Sequence, residues 1–265
     1  MPSLTNHALR GILPTLIGIL PMFAAAPSGF AADAQINPTS PSSTPASIQT
    51  LDPAALGKLF GPLARDLTVA LSMDGPTNGS VVYSRAALKA EFSGRTEFMQ
   101  DGERRAANFH VDGAVLIINP PLELGASYTL ATWIKLPAPA SNAAIFQSAG
   151  DSILEIKDGK FGCNRQSVHR VYAPCDSTLV GWHHLAITCD GHRMLFYLDG
   201  TERGDHSWTM TMNSGLKSIG NHANPKFETA PCGGLDDVLI FNRELNGRDI
   251  VKVMQIRLPV STAAQ

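Results

Sequence analysis

Three observations place this chain in the all-β class, as a two-sheet antiparallel sandwich with short helices at its N-terminal and C-terminal ends. Short apolar runs recur along most of the chain with Gly, Asp and Asn between them, a rhythm that favours a sandwich over a parallel α/β sheet. Trp182–Cys189, Asp190-Gly191 and Arg193–Leu198 spell a hairpin, because a tight primed turn needs positive φ and glycine supplies it without a Cβ clash. In the return strand Met194, Phe196 and Leu198 share one face while Leu195 and Tyr197 share the other. Both faces are apolar, so the hairpin is expected near the middle of a sheet that is covered on both sides.

Taken in order, the 265 residues divide into three parts. Residues 1–34 are expected to be a secretory signal peptide. His7 and Arg10 make a weakly basic start, Ile12–Ala26 is apolar, and Ala32-Asp33-Ala34 offers a small-x-small cleavage site, with Gly29-Phe30-Ala31 as an alternative. Pro14 and Pro21 interrupt the apolar run, which falls short of the roughly 20 residues a membrane span needs. With no later apolar span, the expected location is secreted or periplasmic. Residues 35–50, rich in Pro, Ser and Thr, cannot bury enough surface to offset ordering entropy and are expected to be a flexible tether. Residues 51–265 form the domain.

In that domain Asp52 caps a short helix with Pro53 at its first position, ended by Gly61-Pro62. Strands are expected over Leu67–Met73, Val81–Tyr83, Ala90–Phe92, Ala107–Val111 and Ala114–Ile118. Pro120-Pro121 then interrupts the chain before Tyr128–Leu136. Ala143–Gln147, Ile153–Lys157 and Lys160–Asn164 make a meander around the Asp158-Gly159 turn, and Gln166–Pro174 adds a strand. Beyond the hairpin, His206–Met212, Leu216–Ile219 and Val238–Phe241 are strands. Asn246–Arg257 is a helix with a partial apolar face of Ile250, Val251, Met254 and Ile256.

Trp182-His183-His184-Leu185-Ala186 followed by Tyr197-Leu198-Asp199-Gly200 resembles the core signature of laminin-G-like, concanavalin-A-like jelly-roll domains. Tyr128–Lys135 resembles an earlier strand of that family, and Gly234–Leu245 its closing strand. Three such pieces in the right order imply a jelly roll over roughly Asp66–Met254. The resemblance speaks weakly to function, because the fold hosts lectins, hydrolases, adhesion modules and spacers.

The net charge of −2 excludes the usual electrostatics of a nucleic-acid binder and of adhesion to anionic lipid. Four cysteines, Cys163, Cys175, Cys189 and Cys232, lack the close spacing of a zinc site and suggest two disulfides. Cys163–Cys175 flank one turn-and-strand unit and are the first pairing. Cys189–Cys232 follow by default. A retaining glycosidase needs two carboxyl groups about 5 Å apart. Glu155 and Asp158 are the nearest pair, but Asp158 sits in a turn, and Asp236 and Asp237, adjacent on a strand, should point to opposite faces. No catalytic residue is assigned. His184 is expected to pack beside Trp182. Trp133, Trp182, Phe196 and Tyr197 are assigned to the core, which leaves Trp208, with His206 close by, as the ligand-binding aromatic that could stack on a sugar ring.

The resemblance also implies that the first and last strands lie close together with a structural calcium ion near them. Asp74 and Asp236 would be its ligands, hard oxygens of the kind calcium takes. Without calcium, Asp74 shapes its Asp-Gly turn and Asp236 caps turn amides. The function expected from these residues is that of an exported, non-catalytic module binding a glycan or an extracytoplasmic protein at the cell envelope. The alternatives are a glycan-active hydrolase of the same fold and a purely structural interaction domain.

Overall fold

A computed structural model describes residues 51–75, 81–86, 88–109, 114–136, 143–148, 151–165, 169–174, 181–206, 215–221 and 232–259. The expected leader and tether, Cys175, Trp208 and the side chain of His206 lie outside the described residues.

Helix α1 is Pro53–Phe60, started by Asp52, whose Oδ1 accepts from the Ala55 amide at 2.7 Å. A 3₁₀ turn at Gly61–Arg65 leads into β1, Leu67–Leu71. There follow β2 (Val81–Ser84), β3 (Lys89–Ser93), β4 (Glu97–Asp101), β5 (Arg104–Asn108) and β6 (Val115–Leu122). Next come β7 (Ser127–Leu136), β8 (Ala143–Gln147), β9 (Asp151–Lys157), β10 (Lys160–Arg165) and β11 (His169–Pro174). The chain continues through β12 (Gly181–Asp190), β13 (Met194–Leu198), β14 (Thr201–His206), β15 (Leu216–Ile219) and β16 (Gly234–Phe241) to α2, Gly247–Met254. Asn246 caps α2 through its Oδ1, which accepts from the Asp249 amide at 3.0 Å.

All described pairings are antiparallel. The larger sheet runs β14-β13-β12-β7-β16-β1-β2, with the β4–β5 hairpin joined to the first residues of β16. The smaller runs β11-β10-β9-β8-β15-β6-β3. The two sheets and two short helices make the jelly-roll sandwich that the resemblance implies. Alternation divides the larger sheet cleanly. Leu130, Ile134, Leu185, Ile187, Met194, Phe196 and Leu198 face the smaller sheet. Ala131, Ala186, Leu195, Tyr197, Leu239 and Phe241 face outward, under Leu56, Phe60, Ile250 and Val253 of the two helices. The central hairpin is therefore buried on both faces, as its composition requires. Among the described residues no helix is long and apolar enough to cross a membrane.

Turn chemistry is realised where glycine was expected. Asp158-Gly159 and Asp199-Gly200 both hold positive φ at both residues, 50° and 69° in the first and 50° and 74° in the second, as type I′ turns demand. Three strand expectations need correction. β6 passes through Pro120 and Pro121 instead of ending before them. These prolines lie beyond the last pair with β3, Lys89↔Asn119, and within the bulge opposite β15, where a missing N–H costs no ladder bond. β4 is a strand that the apolar pattern does not predict, although Asp101-Gly102 is a hairpin signal. β14 is another, since His206 ends a strand here and does not begin one.

The disulfide expectation is also corrected. Cys163, Cys189 and Cys232 are buried free thiols. Cys189 pairs with Tyr128 at one end of β7, whereas Cys232 precedes Gly234, which pairs with Lys135 near the other end. β7 also lies between their strands. Seven residues of strand, roughly 23 Å at 3.3 Å each, far exceed the reach of a disulfide. Cys163 lies 3.9 Å from the sulfur of Met194 in the opposite sheet. Burial pushes its thiol up to about 12, so these cysteines pack as small apolar groups.

Phe196 is 1% exposed and meets Phe161 of the smaller sheet edge-on, ring centroids 5.9 Å apart. Phe196→Ala should cost about 3 kcal/mol or more in chemical denaturation. A near-zero change would move this ring to the surface and undo the register.

Candidate functional site

The outward face of the larger sheet is apolar only where the helices cover it. Toward the other end of β7 the same face turns aromatic and charged. Register puts Trp182, Lys135, Gly234 and Asn108 in one row across β12, β7, β16 and β5. The neighbouring row carries His184, Trp133 and Asp236. The β4–β5 hairpin adds Met99, Asp101 and Arg104 on this side, since Met99 pairs with Ala106 and Asp101 with Arg104.

Arg104 is the centre of this cluster. It is 6% exposed, and its Nη1 donates to Asp236 Oδ2 at 2.6 Å and lies 3.6 Å from Asp237. Its guanidinium carbon stands 3.9 Å from the Trp133 ring centroid and 5.2 Å from that of Trp182. Stacking on two indoles suits a weakly hydrated planar cation that has been taken out of water. Arg257, beyond α2, adds a second guanidinium 3.5 Å from Asp236 and 3.9 Å from Asp237.

Asp236 and Asp237 both face Arg104, against the expectation that strand alternation would part them. The cause is a bulge. Asp237 has φ 47°, and the register with β7 shifts between Asp236 and Leu239. Both carboxyl groups are pushed upward in pKa, first by burial. Asp74 joins them electrostatically: β1 and β16 are antiparallel neighbours, and burial, then the Asp236 charge, raises its carboxyl to about 6. The convergence of first and last strands is real, but the donor set does not fit a calcium ion. Two guanidiniums already stand at Asp236 and Asp237, where calcium would need their oxygens free.

Trp182 is held differently. Its Nε1 donates to Asp101 Oδ2 at 2.8 Å, and the same oxygen accepts from Lys135 Nζ at 2.5 Å. The ring spans β7: a Cβ built on Gly234 would stand 3.1 Å from its Cη2, 3.1 Å from Met99 Sδ and 3.3 Å from Lys135 Cβ. A side chain at Gly234 would crowd the indole, the Met99 sulfur and the Lys135 stem by a few tenths of an ångström. Trp182, Trp133 and Lys135 are part-exposed. The two tryptophans are therefore not buried core residues, whereas Phe196 and Tyr197 are. Trp133 is partly roofed, its Nε1 donating to the Met254 carbonyl at 3.3 Å. His184, 2% exposed, packs edge-on to Trp133 at 5.5 Å, and not on Trp182 as expected. Among the described residues no group of three or more His, Cys, Asp or Glu side chains could hold a metal. A separate pocket of about 530 Å³ lies at the opposite end of β7, beside Ser127 and Tyr128. Its charged lining residues are Arg85 and Glu123.

Known proteins share both the sequence pattern and the fold. The model of the concanavalin A-like lectin/glucanases superfamily matches residues 109–251, more than half of the 265 residues, and the chain belongs to that superfamily. No curated protein sequence matches. Among solved structures, domain 4 of AbnA, an extracellular arabinanase of Geobacillus stearothermophilus, in complex with arabinotriose, is similar at a TM-score of 0.53 and 17% identity, over 72% of this chain and 98% of that one. The receptor binding domain of botulinum neurotoxin type G is similar at 0.53 and 14%, over 72% of this chain and 51% of that one. A Trypanosoma rangeli sialidase with the inhibitor DANA is similar at 0.51 and 18%, over 79% and 36%. At these identities the likeness is one of fold.

The buried groups beside Arg104 make a pH test. Burial, helped by Arg104, pushes His184 down to about 4 from 6.5, so the unfolded chain takes up a proton that the fold refuses. That contribution to stability is lost as pH falls from 6.5 to 4. Asp74, raised to about 6 from 3.8, works oppositely: its contribution is fully present below 3.8 and is lost as pH rises through 6. His184→Phe removes the first effect and keeps an aromatic edge against Trp133. Its Tm relative to wild type should therefore climb by on the order of 5 °C between pH 6.5 and 4. Parallel melting profiles would show that His184 is not held neutral.

Proposed function

We propose that this protein is an exported, non-catalytic glycan-binding module whose recognition face is the part-exposed indole of Trp182 with Lys135 and Asp101 at its border. The single observation that carries this reading is how Trp182 is held. The ring lies across Gly234, pinned through its Nε1 to Asp101, so no ordering of the side chain remains to be done on binding. A flat apolar surface edged by a few fixed polar groups is what a sugar ring requires, with its C–H face to the indole and its hydroxyls to the edge.

The similar structures support a glycan as the ligand. The arabinanase domain is in complex with arabinotriose, and for botulinum neurotoxin type C, whose structure is similar at 13% identity and a TM-score of 0.55, cell entry depends on interaction with two ganglioside molecules. Two features support a non-catalytic role. Asp101 is engaged by Lys135 and Trp182, and Asp236 by Arg104, so neither carboxyl is free to act as a proton donor. Export rests on the apolar Ile12–Ala26 run and the Ala32-Asp33-Ala34 cleavage site.

Trp182→Ala should lower glycan affinity at least tenfold, about 1.4 kcal/mol, in calorimetric titration while the far-ultraviolet circular dichroism stays that of a β-sheet protein. Trp182→Phe should retain part of the affinity. Unchanged binding in Trp182→Ala would move the site elsewhere. Protein recovered from the secreted or periplasmic fraction should begin near Ala32 or Gln35, and a Met1 start there would remove the signal peptide from this reading.

A further inference from the structure

We infer that the Trp182 face selects neutral sugars with adjacent hydroxyls over sugars that carry a carboxylate. The inference rests on the proposed glycan-binding reading and assigns its ligand class.

It follows from the charges that border the ring. Lys135 shares with Trp182 the Asp101 oxygen that both contact, and its ammonium is matched by that carboxylate at 2.5 Å. Arg104, buried with its guanidinium 5.2 Å from the ring centroid, is matched by Asp236 at 2.6 Å. Arg257 is shared between Asp236 and Asp237. His183, next along β12, has its Nδ1 2.8 Å from Asp199. On β4, Glu97 is met by Arg95 at 3.1 Å. Lys135, Arg104, Arg257 and Arg95 therefore each have a carboxylate within 4 Å. A uronate or sialate would find the Lys135 charge already met by Asp101 and the Arg104 charge buried against Asp236, so its carboxylate would gain little from either.

A neutral sugar meets the opposite situation. Lys135 Nζ is a donor with protons to spare, and Asp101, whose Oδ2 holds Trp182 and Lys135, offers its other carboxylate oxygen as a charged acceptor. Both are about a third exposed, at 33% and 37%, so a ligand can reach them. They stand side by side, as two adjacent ring hydroxyls do, so one hydroxyl can accept from the ammonium while the next donates to the carboxylate. Charge-assisted bonds of this kind are the stronger ones, and neither requires net charge on the sugar.

The full chain would be titrated by tryptophan fluorescence and calorimetry with xylotetraose and arabinotriose as neutral probes. Trigalacturonate and sialyllactose are the acidic ones, each tested at low and high salt. The neutral probes should bind at least about tenfold more tightly, with affinity nearly independent of salt. Asp101→Asn retains an oxygen for the Trp182 Nε1 but removes the charge that Lys135 faces. It should shift the preference toward the acidic probes by about tenfold. Lys135→Met is the second variant, and should lose neutral binding without gaining acidic binding. Preferential, salt-sensitive binding of the acidic probes that still depends on Trp182 would overturn the neutral assignment and leave the Trp182 site standing. A preference unmoved by Asp101→Asn would likewise overturn it. Failure of both probe classes to bind or to quench tryptophan would overturn this inference together with the glycan reading itself.

Discussion

The bulge at Asp236-Asp237 is the constraint on which the outward face depends. β16 has β7 on one side throughout, but its other side changes partner. Gly234 and Leu235 pair with β5, and Val238 to Phe241 pair with β1. The positive φ of Asp237 falls where that exchange happens, and it turns two adjacent carboxylates to the same side. Two like charges in a buried place demand a cation, and Arg104 from β5 supplies it. Burial lowers the Arg104 pKa and raises that of Asp236, so desolvation outweighs the attraction on both partners. The pair is therefore a poor source of stability. Its value is in specifying where the β4–β5 hairpin docks, because breaking one partner of a buried pair typically costs about 3–5 kcal/mol.

From that docking the aromatic face follows. With Arg104 fixed, Trp133 and Trp182 have a flat cation to stack against, and Asp101 comes within reach of the Trp182 Nε1. Gly234 completes the seat. A side chain at this residue, which pairs with Lys135 in β16, would press on the indole, Met99 and the Lys135 stem. Met254 and Arg257, at the end of α2 and beyond it, close over Trp133.

Much of the scaffold was legible in the sequence because it is written in local periodicity. The alternation of Met194, Leu195, Phe196, Tyr197 and Leu198 fixed which face each side chain takes, and the Asp-Gly pairs fixed the turns. The site was far less legible. Trp133 and Trp182 sit in apolar strands, and a strand pattern cannot distinguish the inter-sheet face from an outward face that is only half covered. Asp236 and Asp237 followed the rule of alternation until the bulge broke it, and no glycine marked that bulge. The cysteines misled for a different reason. An even count in a chain with an apolar leader is a compartment argument, and it carries no information on whether two sulfurs lie at the same end of a sheet. The β4–β5 hairpin was signalled by Asp101-Gly102, yet its polar residues, Glu97, Gln100, Arg104 and Arg105, hid two strands that hold the site together.

The boundary of the family match sharpens this division. Trp133, Lys135, Trp182, Gly234 and Asp236 lie inside residues 109–251, whereas Met99, Asp101, Arg104 and Arg257 lie outside it. The aromatic floor is thus built on the strands that make this chain a member of its superfamily, and the charges that hold and edge the floor come from the hairpin before that segment and the tail after it. A fold shared at 13–18% identity with the arabinanase, toxin and sialidase structures says little about what is bound. The strands common to the fold can present an indole, but its orientation is set by Asp101 and Arg104. Its border is neutral only because Asp101 stands against Lys135. The charges around the indole are thus set by the β4–β5 hairpin, which lies before the matched segment and whose Asp101 carboxylate pairs with Lys135 above the sandwich.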